Sequence, residues 1–168
     1  QPAGHELIAA LAAECDVLVE NYGHGVLEKR GLGPDALRAA NPGLIYASIS
    51  TFGRTGSKAH LPGFDLIAQA YAGSAALTGE RDGAPLGSGA PMGDVSAGMM
   101  AFGAISAALY GRVTTGEGQF IDVSMVESIF NMHPFAVQGP SMTEGKARLK
   151  RTGRHFGAVP PAGTFRGP

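Results

Sequence analysis

A single cysteine, Cys15, stands in this chain of 168 residues, which excludes an internal disulfide framework and any cysteine-based metal cluster. Its expected role is to fill space on an apolar helix face. Charge is scarce as well. Thirteen basic residues against 14 acidic ones give a formal net charge of -1, with no excess to draw nucleic acid. Five basic residues do gather at 146–154, Lys146, Arg148, Lys150, Arg151 and Arg154. A phosphate-facing patch is one reading of them. With no acidic partner and no aromatic interleaving they read better as a solvated, flexible loop. The most apolar segment, 95–110, holds 16 residues. That is short of the roughly 20 a bilayer span needs, so no membrane insertion is expected.

Common catalytic signatures are missing too. There is no GxGxxG after a strand, no Walker A sequence, no GxSxG elbow and no HExxH. The histidines, His5, His24, His60, His133 and His155, are scattered without ligand spacing and read as structural or exposed, so no metal site is expected. The obvious hydrolase, kinase, dehydrogenase and zinc-enzyme classes drop out.

What is present is an alternation of helix and strand patterns. Leu7, Ile8 and Leu11 recur at helical spacing within 6–15; Val17-Leu-Val19 is a short apolar strand; Pro34 and Asp35 suit a helix start; Leu44 to Ile49 reads as the next strand. This order predicts an α/β fold with a parallel sheet and flanking helices. Such sheets bind ligands beyond the carboxyl ends of their strands, which makes Glu20-Asn-Tyr22 and Ser50-Thr-Phe-Gly53 the expected rim of a site. The stretches 51–61 and 78–93 read as loops, the second with five glycines and two prolines, and loops of that length are often functional. A short helix is expected over 64–71. After a helix over 95–110, whose Ala97, Gly98, Ala101, Gly103, Ala104, Ala107 and Ala108 suggest tight packing, comes a turn at Thr115-Gly-Glu-Gly-Gln119. It reads as a hairpin turn, with glycines supplying positive φ and no chemistry. A strand over 119–123 and an apolar helical stretch over 126–137, interrupted by Pro134, follow. The chain opens on Gln1 without an initiator Met and ends in a turn-like stretch, Phe165-Arg-Gly-Pro168, so 1–168 reads as a single partial domain internal to a longer protein.

Asp94 is the most informative residue. It stands alone in Ala90-Pro-Met-Gly-Asp-Val-Ser-Ala-Gly98, and the next charge downstream is Arg112. At the start of a helix a carboxylate meets unpaired backbone N–H groups and the positive end of the helix dipole, which favour its ionised form. An ionised, positioned Asp serves as a nucleophile. It serves equally as an N-cap.

Four stretches, in order, carry a family resemblance: Asp16-Val-Leu-Val-Glu-Asn-Tyr22 with Gly25-Val-Leu-Glu-Lys-Arg-Gly31; Asn41-Pro-Gly-Leu-Ile-Tyr-Ala-Ser-Ile-Ser-Thr-Phe-Gly53; Pro62-Gly-Phe-Asp-Leu-Ile-Ala-Gln69; and Gly93-Asp94 with Thr115-Gly-Glu-Gly-Gln-Phe-Ile-Asp-Val-Ser124. Over nearly its whole length the chain resembles the family III CoA transferases, a group that includes formyl-CoA transferase, carnitine CoA transferase and alpha-methylacyl-CoA racemase. The resemblance implies a Rossmann-like fold, interlocked homodimers in full-length relatives, a cytoplasmic protein, no tightly bound cofactor, and coenzyme A as co-substrate with acyl-CoA and carboxylic acid substrates.

It also implies roles. The Asp matching Asp94 attacks an acyl-CoA thioester to give a mixed anhydride and then an aspartyl-CoA thioester, from which an acceptor carboxylate takes the CoA. Asn21 and Tyr22 match an Asn-Phe pair that lies against CoA, although Tyr22 reads equally as a strand-end aromatic. Lys29 stands where formyl-CoA transferase has a CoA-contacting Arg, and Pro62 where it has a CoA-contacting Lys, so that contact is absent or supplied elsewhere. Asp65 matches an acidic position beside the active site, or caps the helix over 66–71. In the racemase branch a His precedes that Asp. Here the triplet is Gly63-Phe64-Asp65, and phenylalanine accepts no proton, which favours a transferase. Racemase and inactive CoA-binding module remain the alternatives.

Overall fold

The computed structural model describes residues 2–155, 161–165 and 167. Gln1, Arg166 and Pro168, which bound the chain in the reading above, lie outside them. Three parallel strands, β1 (Val17–Glu20), β2 (Ile45–Ser50) and β3 (Phe120–Ser124), form a sheet in the order β1-β2-β3. Val17 pairs with Ile45 and Tyr46 with Phe120. Parallel strands need long crossovers, which here are α2 (Pro34–Ala40) between β1 and β2 and α3 (Asp65–Ala72), α4 (Ser74–Leu77) and α5 (Met92–Thr115) between β2 and β3. Helix α1 (Pro2–Glu14) precedes the sheet; α6 (Met125–Met132) and α7 (Pro134–Met142) follow it. The mixed α/β fold with a parallel sheet is the one expected.

Helices cover both faces of the central strand, so Leu44, Ile45, Tyr46 and Ala47 are all buried. Leu44 and Tyr46 pack with Ala12, Leu32 and Leu37 on one face. On the other, Ala68, Ala97, Ala101, Val123, Met125 and Ile129 bring α3, α5 and α6 together.

Several expectations need correction. The connection at 115–119 is no hairpin, because β3 runs parallel to β2; it is a helix-to-strand passage. Gly116 does adopt positive φ, 74°, to end α5. Gly118 is required for a different reason: a Cβ there would sit 2.1 Å from the Leu44 carbonyl oxygen. Helix α5 runs 24 residues, so the argument from length against a membrane span does not hold; by length and composition alone it is long and apolar enough to cross one. It packs instead on β2, β3, α3 and α6. Of its small residues Ala97, Ala101 and Ala108 are buried in that packing, whereas Gly98, Gly103 and Ala107 are exposed. Leu7, Ile8 and Leu11 of α1 are exposed as well, and only Ala12 of that helix is buried. Cys15 is exposed beyond the end of α1 and fills no core space. The segment 78–91 is irregular as expected, but α5 begins at Met92, and α4 is an extra turn of helix that its Gly73-Ser-Ala-Ala sequence did not signal. The basic stretch is solvated but partly pinned, since Arg151 donates to the carbonyls of Ala76 at 3.0 Å and Gly83 at 2.8 Å.

Candidate functional site

The carboxyl ends of β1 and β2 open into a cavity of about 180 Å³. The chain turns sharply there, and side chains fix the turns. Asn21 donates its amide N–H to the Ile49 carbonyl at 2.7 Å, tying the end of β1 to the end of β2. Thr51 accepts at its carbonyl from Val126 N–H (3.1 Å) and from Ser124 Oγ (3.3 Å), which joins the β2 exit to α6. Gly63 passes so close to Thr51 that a Cβ would lie 2.7 Å from Thr51 Cγ2. That contact brings Phe64 to the cavity wall beside Phe52 and Leu61.

Beneath the rim lies an ion pair that the sequence did not signal. Glu20 and Arg54 are paired with side chains only 6% and 9% exposed, and the Ser48 hydroxyl donates to Glu20 while accepting from Arg54 Nε. The second Glu20 oxygen accepts the Tyr22 backbone N–H at 2.7 Å, and Arg54 Nη2 donates to the Tyr22 carbonyl at 3.0 Å. The Arg54 backbone N–H reaches Asp122 Oδ2 of β3 at 2.7 Å. On the sheet face below, Tyr46 donates its hydroxyl to the Leu32 carbonyl at 3.1 Å. Burial, and next the Glu20 carboxylate, push its phenol well above the usual tyrosine range.

Asp94 enters the cavity from the opposite side, as the third residue of α5. The N-cap position belongs to Pro91, so Asp94 is not the cap of its helix. It sits exposed in the first turn of that helix. Asp65 does not cap α3 either, since Phe64 takes that place. Its Oδ1 accepts the Gly93 N–H at 2.6 Å and its Oδ2 accepts the Gln69 side-chain amide at 2.6 Å. Asp65 thereby holds the backbone immediately before Asp94.

The cavity thus brings Asp94 together with Asn21 and Tyr22, and Asp65 adjoins it through Gly93. Lys29 does not line it; that residue is exposed on the single turn Glu28–Arg30. His24 is exposed, as its scattered placement in sequence suggested, and also lines the cavity. Glu20, expected on the rim with Asn21 and Tyr22, does not line the cavity, nor does Gly53; Glu20 lies buried beneath it, a position that needs a partner. Its partner is 34 residues away. A cavity of similar size, about 190 Å³, lies between Ala72, Phe130, Val137 and Leu149; of the residues named from sequence it gathers His133 and Arg148 but none of the expected catalytic or CoA-binding ones.

Comparison with known proteins places this geometry. The model of CoA-transferase family III matches residues 1–167. Succinyl-CoA:glutarate CoA-transferase of Mus musculus is 38% identical over 165 residues, 98% of this chain and 37% of that protein. Formyl-CoA:oxalate CoA-transferase of Streptomyces avermitilis is 40% identical over 129 residues, 77% of this chain and 31% of that protein. A crystal structure of a CAIB/BAIF family protein from Brucella suis superposes with a TM-score of 0.88 at 35% identity, covering 96% of this chain and 42% of that one. A hypothetical protein from Mycobacterium tuberculosis gives a TM-score of 0.77 at 30% identity, covering 88% and 41%. The chain spans well under half the length of these relatives.

Proposed function

Because this chain belongs to CoA-transferase family III, we propose that it carries the nucleophile and part of the CoA-binding rim of an enzyme that moves CoA from an acyl-CoA to a free carboxylate. The observation that carries the reading is the single cavity that faces Asp94 with the strand-end rim of Asn21 and Tyr22. An Asp94 carboxylate oxygen attacks the thioester carbonyl carbon. The C–S bond breaks, CoA leaves as thiolate and a mixed anhydride remains. The thiolate then attacks the Asp94 carbonyl, releasing the donor acid and leaving an aspartyl-CoA thioester. The acceptor carboxylate attacks that thioester to form a second anhydride and free the thiolate once more. Attack of the thiolate on the acceptor carbonyl gives the new acyl-CoA and restores Asp94.

Both kinds of intermediate hydrolyse if water enters; Phe52, Leu61, Pro62 and Phe64 give the cavity a hydrocarbon lining, with Phe64 itself 82% exposed. In the full-length enzyme, which we take as a homodimer, Asp94→Ala abolishes transfer while the fold survives. Hydroxylamine added after acyl-CoA modifies Asp94, read by peptide mass spectrometry. Wild-type turnover by Asp94→Ala would end this assignment. Succinate, glutarate and oxalate head the panel of acceptors, since relatives are named for acids of this kind.

The racemase reading requires a base at the thioester's alpha carbon. Phe64, matching the His of the racemase branch, lines the cavity and supplies hydrocarbon alone, so a racemase would have to draw its base from another lining residue such as His24. On the transferase assignment a chiral 2-methylacyl-CoA incubated with the full-length enzyme in heavy water gains no deuterium at C2 at a catalytic rate; such a gain would replace the transferase assignment with the racemase one.

A further inference from the structure

The Glu20–Arg54 pair is buried, linked to three strands, and takes no part in the chemistry above. Buried ion pairs are poor sources of stability, because desolvation offsets most of the attraction, so their retention calls for another reason. Here each member of the pair also bonds the backbone of one residue, Tyr22. Glu20 holds the N–H of Tyr22 and Arg54 holds its C=O, so both polar groups of that backbone unit are fixed from below. The Tyr22 ring, 59% exposed, stands above them on the cavity rim.

Arg54 is committed at two of its three guanidinium nitrogens. Its Nε serves Ser48, its Nη2 serves Glu20 and Tyr22, and its side chain is 9% exposed. The planar fork explains why arginine stands here, since a lysine ammonium could not span Ser48, Glu20 and the Tyr22 carbonyl in one orientation.

We infer that Glu20 and Arg54 are positioning residues that set the stance of Tyr22, and through it the affinity of the rim for CoA. The inference rests on the reading of that rim as the CoA-binding surface. Its mechanism is preorganisation: a Tyr22 already held in place loses no backbone freedom when the ligand docks.

A double-mutant cycle in the full-length enzyme tests it. CoA binding is measured by calorimetry for wild type, Arg54→Met, Tyr22→Ala and the double variant, with kcat and KM for an acyl-CoA alongside. Arg54→Met is expected to weaken CoA roughly two- to tenfold, the worth of one aromatic contact, with a larger effect on KM than on kcat. In the Tyr22→Ala background the same substitution should do almost nothing, because its route to the ligand is gone. Arg54→Lys should recover part of the loss. An Arg54→Met effect of equal size in both backgrounds overturns the positioning role while leaving the CoA rim intact. Wild-type affinity in Tyr22→Ala overturns the rim reading and this inference together. Should Arg54→Met fail to fold, amide exchange in the wild-type enzyme decides. A Tyr22 N–H protected like the strand amides supports the inference, and one exchanging like an open-loop amide refutes it.

Discussion

At Gly93 a side chain has little room: a Cβ would meet Asp65 Oδ1 at 3.0 Å and the Ala68 Cβ at 3.2 Å. The Gly93-Asp94 pair is therefore two requirements in sequence, a close backbone approach and then a carboxylate. Asp65 makes the approach worthwhile, since it satisfies a first-turn N–H that has no partner within its own helix. Asp65→Ala should leave the buried Gly93 N–H unpaired and lower stability by about 1–3 kcal/mol in urea unfolding, with a fall in kcat as Asp94 shifts. Asp65→Asn keeps an acceptor at Oδ1 and should cost less on both counts. Gly63→Ala presses a methyl into Thr51 and should destabilise by roughly 1–3 kcal/mol. The Gly-Asp pair was legible in the sequence because both members are local. The Glu20–Arg54 pair was not, because nothing in the spacing of two residues on different elements announces that they meet.

Elements were legible where one periodicity governed them. Strand β2 showed as a continuous apolar run because it is buried on both faces, and α2 showed through Pro34 at its first position. The connection at 115–119 was misread because Gly-Glu-Gly suits a hairpin and a helix exit equally well, and only the direction of β3 separates the two. Gly118→Ala tests the exit. Its methyl would collide with the Leu44 carbonyl, backbone that cannot move without unseating β2, so a stability loss at or above about 3 kcal/mol is expected in thermal or urea unfolding.

Tyr46 gives β2 a pH dependence. Its folded phenol holds its proton more tightly than the unfolded one, whose ordinary value is 10.0. Its contribution to stability is thus fully present below that pH and declines as pH rises toward the folded value. Urea midpoints should fall from about pH 10 upward, and less steeply in Tyr46→Phe, which gives up about 0.5–1.5 kcal/mol at neutral pH with its hydrogen bond to Leu32.

On the scale of the whole molecule, α5 presents Met99, Phe102, Tyr110 and Val113 to solvent at 71%, 74%, 81% and 86% exposure. Scattered apolar residues are ordinary, but these lie on one helix that also supplies the proposed nucleophile. The 168-residue chain on its own should bind the dye ANS strongly, and Phe102→Asp with Val113→Asp should reduce that fluorescence without moving the far-ultraviolet circular dichroism. Unchanged dye binding in the double variant would place the sticky surface on another element.

The order of strands in the sheet also sets an order in time. Strands β1 and β2 pair across about 30 residues of chain, whereas β2 and β3 pair across more than 70. Closing the longer loop costs about 0.9 kcal/mol more chain entropy, and it must enclose three helices before any strand contact repays it. The β1–α2–β2 unit is therefore expected to organise in the folding transition state, with β3 docking afterwards. Val19→Ala and Ile45→Val should chiefly slow refolding, and Val123→Ala should chiefly accelerate unfolding, in stopped-flow chevrons of the full-length protein. The carboxyl-end rim, which needs Asp122 and Ser124 of β3 to be in place, would then be the last part of the sheet to assemble and the first to open.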